Sequence, residues 1–564
     1  MFRILLFREF ILIQKIKSPS PRRKGRVLMS VKFLLVGERL RYRSFNGANK
    51  ALPVLASCLT RNGFKNVVQI DLERPDVTAD DLLREVQDAD IVAFAGAMTP
   101  QWPELDVTVR MVADHLQRLS RSHVPIVVGG YATKGVEDIA RLSPWISGYF
   151  DGEGEAGIIE IAKSVARGTF FEDRPRLRGI CYIDAGGRFR RSIAERTTDL
   201  DCFDQNFGFV HVPERHNMDI FRVDGRQAKT AQIFTQRGCP YACAFCNKSE
   251  EGNNVVWVSD EALRAQLRRL KDEGYSAAYL DVDTFSISER RARKQAEILH
   301  EEGFIWGSNT RIDRIDPDLM HHFVQHGCRY MFCGVEHVHP GVALAIDKFN
   351  GSLAQKLSRA HTYLDQVRSV YRSMTATGLP SSLFLILGLP KAILNEDRTE
   401  VIGYAPTTFE DDAEAIRFGL EECDPDFLNF NMLRFMPGSL AADMPNHPAY
   451  TCVRPTGEAP ITGGHFLPRV SSTMNYSLPE YHGIFRICES VGESQPRTTA
   501  VDADRIYRTV EYSIRLINEK IRRGGKKTSM FIDKDIVENK LIQHDDDGSY
   551  RLAPLQAFEI LTAN

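Results

Sequence analysis

Cys239, Cys243 and Cys246 lie within one octapeptide, Cys239-Pro-Tyr-Ala-Cys243-Ala-Phe-Cys246. Three thiolates at that spacing can each take one iron of a cubane cluster, which leaves the fourth iron without a cysteine. Clusters that only pass electrons are closed by four cysteines, so an open iron is a place for something else to bind. Two plainer readings compete, a zinc site or three unrelated thiols. Zinc favours four N or S ligands drawn from paired cysteines, and no second pair lies nearby in the chain. The octapeptide also follows Phe234-Thr-Gln-Arg-Gly238, and Phe245 precedes the third cysteine.

Motif and context together resemble the radical S-adenosylmethionine (SAM) superfamily. In that family the amino and carboxylate groups of SAM chelate the open iron of a 4Fe–4S cluster. The resemblance makes Cys239, Cys243 and Cys246 the cluster ligands and Phe245 a cofactor neighbour. It implies reductive cleavage of SAM to a 5′-deoxyadenosyl radical, chemistry that belongs to the cofactor while the protein positions it. An electron donor such as a flavodoxin or ferredoxin is implied as a partner. The polar groups of SAM need holders, and the resemblance assigns them by position. Asp281 and Asp283 end the run Ala277-Ala-Tyr-Leu-Asp281-Val-Asp283, Arg311 ends the next strand, and Glu336 lies in Gly334-Val-Glu336-His337. The usual family form of the last motif is Gly-Ile-Glu-Ser, so His337 is a departure. Each acid taken singly is equally a helix cap or a salt bridge at a strand end. Their recurrence at successive strand ends favours a binding role. Lys348 matches a lysine common after that motif, and equally a solvated helix lysine.

The elements that must position these residues alternate in type. Val31 to Val36 ending at Gly37, Val67 to Ile70, Ile91 to Ala95 before Gly96 and Thr99, and Pro125 to Val128 before Gly129-Gly130-Tyr131 are apolar runs. Helical spacing separates them, from about Ala48 to Asn62 and over 104 to 119. This alternation predicts an α/β fold opening with a Rossmann-like parallel sheet, whose ligands sit at the carboxyl ends of the strands. Gly129, Gly130 and the segment Phe150-Asp-Gly152-Glu153-Gly154-Glu155 let the backbone approach a large flat ligand; turn chemistry explains them as well. Ahead of a radical SAM motif, residues 31–165 resemble the cobalamin-binding domain that precedes many such enzymes. That resemblance assigns Thr99, Gly129, Gly130, Tyr131, Gly152, Glu153 and Gly154 to cobalamin. No Asp-x-His-x-x-Gly occurs, so the lower-face histidine of another cobalamin class has no candidate, and Asp114-His115 reads as a surface pair on a helix.

From Thr230 onward six strand–helix units predict a partial (β/α)6 barrel with its ligands at the strand C-termini. In the family, a Gly-Leu-Pro strand end like that of 388–390 is followed closely by Gly-Glu-Thr. Here Lys391 to Pro406 intervene, and Asn350 to Ser382 before that strand is also long. Both are expected as inserted loops at the barrel mouth, where substrate recognition resides. The expected division is a disordered or mis-started extension (1–30), the cobalamin-binding domain (31–165), a connector with a hairpin at 179–188 (166–228), the barrel (229–440) and a C-terminal substrate or cap region (441–564). In the last, Asp502 to Arg523 reads as an amphipathic helix striped by Ile506, Val510, Ile514, Ile517 and Ile521. Asp545-Asp546-Asp547-Gly548 reads as a solvated turn.

The 564 residues are too many for one compact core, and 43% hydrophobic with 26% charged residues is ordinary for a soluble globular chain. A net charge of −2 gives no reason to expect nucleic acid or an anionic membrane as partner. No apolar run reaches the ~20 residues of a spanning helix; Arg8 and Glu9 split the first one, and Met29 stands just before the first strand. Eleven cysteines, odd in number and scattered, argue against a secreted disulfide framework. With an oxygen-sensitive cluster they point to the cytoplasm. The leading expectation is a cobalamin-dependent radical SAM methyltransferase acting on a carbon centre of a small natural-product or amino-acid-type substrate. Rearrangement or cyclisation, and non-radical C-methylation of an aromatic ring such as tryptophan, are the alternatives. A cobalamin sensor with a structural metal would have no use for a barrel with acids at its strand ends.

Anaerobic reconstitution should load one 4Fe–4S cluster on this chain, read by iron and sulfide analysis and Mössbauer spectroscopy. The C239A/C243A/C246A variant should load none, whereas alanine at any remaining cysteine should leave the cluster intact, because buried free thiols behave as small hydrophobes.

Overall fold

The computed structural model describes residues 31–38, 49–96, 102–130, 140, 143–246, 254–433, 503–531, 542–545 and 549–552. Expectations for the N-terminal extension, Thr99, Tyr131, all of 434–502 and Asp546-Asp547-Gly548 lie outside the described residues. The described chain forms two compact units. The first holds residues before 199 together with 202–210, and the second holds 199–201 and residues from 211 on. The expected connector is therefore shared between them.

The first unit is built on one sheet of seven strands. They are β1 (Phe33–Gly37), β2 (Val67–Asp71), β3 (Ile91–Phe94), β4 (Ile126–Gly129), β5 (Gly148–Phe150), β6 (Ile180–Ile183) and β7 (Phe189–Arg190), in the order β2-β1-β3-β4-β5-β6-β7. The five strands from β1 to β5 run parallel, and β6 and β7 extend the edge antiparallel. Every residue of β1 and β3 is buried, as expected of parallel strands covered on both faces. The longer described helices are α1 (Ala51–Arg61), α2 (Ala79–Val86), α3 (Trp102–Arg118) and α4 (Gly154–Arg167), with α1 packed on α4 and α2 on α3. A reciprocal Thr78–Asp81 capping box starts α2, and Gly168 in the left-handed region ends α4. Asp114 is exposed on α3.

The second unit winds its strands in sequence order: β8 (Thr230–Ile233), β9 (Ala277–Leu280), β10 (Ile305–Arg311), β11 (Cys328–Glu336), β12 (Ser381–Leu387), then, beyond a hairpin of β13 (Pro390–Leu394) and β14 (Val401–Pro406), β15 (Phe427–Met432) and β16 (Ser529–Phe531). Every neighbouring pair in the sheet is parallel, and among the described residues the first and last strands do not pair with each other, the strand order of a partial barrel. The helices between strands are α5 (Asp260–Asp272), α6 (Glu289–Glu301), α7 (Pro317–Gln325), α8 (Pro340–Ala345), α9 (Leu353–Thr377), α10 (Phe409–Phe418) and α11 (Ala503–Arg522). At one level of the sheet, Phe221, Tyr279 and Tyr330 form an apolar plug that Phe332 and Phe427 extend.

Two expectations change here. Asn350 to Ser382 is no mouth loop: it is α9, started by a Ser352–Gln355 capping box and ended by Gly378 at φ +67°. Its buried face alternates strong and weak apolar residues, Leu357, Ala360, Tyr363, Val367, Val370 and Tyr371, which blurs the stripe in the sequence. The parallel sheet also gains a seventh strand, β16, from the expected cap region; three residues after Lys526-Lys527 give almost no strand signal. Lys391 to Pro406 does form an insertion, the β13–β14 hairpin. On α11, Val510, Ile514 and Ile517 are buried.

Trp306 is fully buried, its indole N–H donates to His326 O at 2.8 Å, and its ring lies 5.1 and 5.4 Å from Phe285 and Phe323. Trp306→Ala should cost roughly 3–5 kcal/mol, seen as a lowered urea midpoint for the second unit.

Candidate functional site

The three cysteines sit on the loop after β8. Backbone and side-chain bonds fix its start: Gly238 N–H donates to Asp283 Oδ2 at 3.1 Å, Gln236 Nε2 to Thr284 O at 2.6 Å, and Trp257 Nε1 to Gln236 Oε1 at 3.0 Å. Thr235 Oγ1 reaches Gln295 Oε1 on α6 at 2.9 Å. Its end is held by packing. Ala244 N–H donates to Ile346 O at 2.9 Å, and Ala244 and Phe245 rest on Val342, Ile346, Ile386, Leu389 and Leu433. Cys246 N–H bonds back to Cys243 O at 2.9 Å, closing a turn between the second and third cysteines.

Arg311, at the end of β10, is the keystone. Its Nη1 donates to Cys243 Sγ at 2.8 Å, and its guanidinium lies 4.0 Å over the Tyr241 ring. Asp313 takes a two-pronged bond from Nε and Nη2, both at 2.9 Å, and Nη2 also reaches Lys348 O. Burial opposes the arginine charge, yet Asp313 and Cys243 outweigh it and raise the pKa further. Burial likewise opposes the Asp313 carboxylate, and Arg311 overcomes it, holding that pKa low. Burial pushes the Cys243 thiol up, with Arg311 pulling the other way, and burial also raises Cys239. Metal binding removes the proton from such thiols, so a positive group against Cys243 favours the thiolate a cluster needs. Among the described residues no three His, Cys, Asp or Glu side chains converge on one ion position. A cubane does not require it, since each thiolate binds a different iron.

Glu336 ends β11 and is 6% exposed. Lys348, 1% exposed, donates to Glu336 Oε1 at 3.0 Å and to Gly334 O at 2.8 Å. Lys348 is thus a buried partner of Glu336, not a solvated lysine. A Cβ on Gly334 would stand 2.5 Å from Glu336 Oε1, so the carboxylate folds back over Gly334 and a side chain there would displace it. Asp281 is exposed at the end of β9, and its N–H donates to Ile233 O at 2.8 Å. The structure therefore gathers Cys243, Arg311, Glu336 and Lys348 at one end of the sheet, with Asp283 latching the start of the loop. Asp313 and Thr284 were not singled out in the sequence. Arg311-Ile-Asp313 held the only local signal, an arginine and a carboxylate two residues apart.

In the first unit, strand order reverses beside β1, between β1 and β3, the crevice where such sheets take ligands. Gly37 and Gly96 stand there, but both make room for Asn49: a Cβ on either would come within 2.8 Å of its amide. Asn49 Nδ2 donates to Ala95 O at 2.9 Å. Gly152, at φ +115°, backs onto Ala194, and a Cβ on Gly154 would meet Leu55 at 3.2 Å. Glu153 accepts from Thr197 N–H at 2.6 Å. These three pack on or bond to the unit's own segment 194–197 and to α1. Gly129, whose added Cβ would make only an ordinary 3.4 Å contact, and Gly130 at φ +132° leave the end of β4 without side chains. A ligand laid across strand ends fits a bare edge of that kind.

Lys348→Met should lose roughly 3–5 kcal/mol of stability, because Glu336 is left buried without its counter-charge. The K348M/E336Q double variant should recover much of that loss in urea titrations.

Residues 233–399 match the family model described as the radical SAM superfamily. The chain is 24% identical over 307 residues to the anaerobic magnesium-protoporphyrin IX monomethyl ester cyclase of Cereibacter sphaeroides, covering 52% of this chain and 48% of that protein. It is 26% identical over 272 residues to the hopanoid C-3 methylase of Methylococcus capsulatus, covering 45% and 47%. The chain thus spans about half the length of these curated relatives. Among solved structures, the radical SAM methyltransferase TsrM of Kitasatospora setae, with tryptophan and a SAM analogue bound, superposes with a TM-score of 0.58 at 14% identity, covering 86% of this chain and 89% of that one. The cobalamin-dependent radical enzyme OxsB with cobalamin and SAM bound gives 0.53 at 15% identity, covering 98% and 70%. Among the described residues no helix is long and apolar enough to cross a membrane. Residues 233–399 thus carry the match to the radical SAM superfamily, and the chain shares the fold of TsrM and OxsB.

Proposed function

We propose that this chain is a cobalamin-dependent radical SAM methyltransferase that transfers a methyl group to a carbon centre of a small molecule. The observation that carries the reading is the cysteine loop clamped by Arg311 beside the buried Glu336–Lys348 pair at the end of a parallel barrel. When bound, the cluster and SAM supply hydrogen abstraction by a carbon radical, and cobalamin supplies the methyl carrier. Cys239, Cys243 and Cys246 would hold the cluster, with Arg311 favouring the Cys243 thiolate. Glu336, Asp281 and Asp283 offer carboxylate acceptors to the amino N–H and ribose hydroxyl groups of SAM. Gly129 and Gly130, with Thr99 and Tyr131, would take cobalamin in the first unit. The Ala244–Phe245 packing keeps the loop's inner side dry, which strengthens each charge interaction there. A reducing compartment and a flavodoxin- or ferredoxin-type donor complete the proposal.

A second reading is ring closure, favoured by the likeness to the protoporphyrin ester cyclase. It keeps the same residues in the same roles and differs in the fate of the substrate.

With its substrate, each turnover of the methyltransferase should yield one S-adenosylhomocysteine and one 5′-deoxyadenosine, since one SAM supplies the methyl and another the radical. SAM carrying a trideuterated methyl should deliver that group intact to the product, checked by mass spectrometry. Methylated product without 5′-deoxyadenosine would point to a polar mechanism. Appearance of 5′-deoxyadenosine without methylation would point to cyclisation or rearrangement.

A further inference from the structure

We infer that His337, braced by Asp412, is a positioning residue that holds Glu336 in its SAM-binding geometry; this rests on the reading of Glu336 as a SAM ligand. Glu336 has φ +66°, and His337 N–H donates back to Val335 O at 2.9 Å. The glutamate is therefore the centre of a three-residue turn with a positive φ, a strained form for a residue bearing a Cβ. Such strain persists only where the surroundings over-determine it. On one side Tyr363 Oη donates to Val335 O at 2.8 Å, and Lys348 holds Gly334 O and the Glu336 carboxylate.

On the other side stands the His337 side chain. Its residue is 2% exposed, and its Nδ1 accepts His339 N–H at 3.0 Å. In the neutral ring the proton is then on Nε2. That atom faces Asp412 Oδ1 at 3.9 Å, and both atoms are buried with no hydrogen-bond partner. At 3.9 Å the pair is beyond a hydrogen bond. An unmet donor and an unmet acceptor facing each other in a dry interior attract strongly, since each is costly to leave alone. Asp412 is itself wholly buried, and its second oxygen receives Arg505 Nε at 2.7 Å. Arg505 also grips Thr407 O and Thr407 Oγ1, at 2.6 and 3.0 Å. A buried polar line thus runs from α11 through the start of α10 to the residue that follows Glu336, hydrogen-bonded from Arg505 to Asp412 and electrostatic from Asp412 to His337. The serine usual at this position would be too short to take part.

Equilibrium dialysis of labelled SAM against cluster-loaded protein tests the inference without turnover. His337→Gln and Asp412→Asn should each weaken SAM binding about tenfold, and the double variant by about the same factor, because both cut one link. Arg505→Lys, a milder change on a partly exposed side chain, should weaken it less. Iron content should not change in any of them. Unaltered SAM affinity in His337→Gln and Asp412→Asn, with only a lowered unfolding midpoint, would overturn the inference and leave packing as the role. Independent, multiplying losses in the double variant would overturn it too. Glu336→Gln in the same assay separates the two layers. If it leaves SAM binding unaltered, the reading of Glu336 falls and the inference with it; if it weakens binding while His337→Gln does not, only the inference falls.

Discussion

The second unit depends on one buried charge arrangement. Arg311 is nine-tenths or more removed from water, a state an arginine tolerates only with its donors occupied. Asp313 answers its charge, the Tyr241 face covers it, and two further donors go to Cys243 Sγ and Lys348 O. Lys348 is then bound to the same arrangement through its carbonyl while its ammonium neutralises Glu336. Two cations and two carboxylates are thereby balanced in a dry site, and the cysteine loop is one of the walls. Removing any member would leave an uncompensated charge where solvent cannot screen it.

This arrangement exists because parallel strands in sequence order bring their carboxyl ends to one edge. Arg311 pairs across to Gly334, and Gly334 to Phe384, so the carboxyl-terminal halves of β10, β11 and β12 lie side by side. The register irregularity between Gly334 and Glu336 falls at the positive-φ glutamate. There the strand gives up regular pairing to aim a side chain, a use to which bulges near sites are commonly put. The β13–β14 hairpin departs from this same edge and is tied down at its base, where Lys391 meets both oxygens of Asp411 at 2.7 and 2.9 Å.

In the first unit the glycines divide by task. Those at 152 and 154 serve packing against Ala194 and Leu55, and those at 37 and 96 admit Asn49. Gly129 and Gly130 put no side chain at the end of β4. A glycine in a sequence states that a side chain is not tolerated, without saying whether protein or ligand fills the space.

By itself the sequence determined the cysteine triad, the alternation of strands and helices, the parallel pairing of the strands that alternate with helices and the acids at the strand ends. These are legible because each is local: a spacing within eight residues, or a run of one period. The tertiary structure decided what the charged residues do. Arg311 and Cys243 are 68 positions apart in the chain, and Arg505 and Asp412 are 93 apart. No periodicity links such pairs. Lys348 could be read as solvated or bound until its burial was known, and His337 was a bare departure from a motif until Asp412 stood opposite it. The helix over 353–377 was hidden by weak apolar residues, and β16 by its three-residue length. Local patterns encode which backbone forms; the burial that makes a charge consequential is a property of the packed whole.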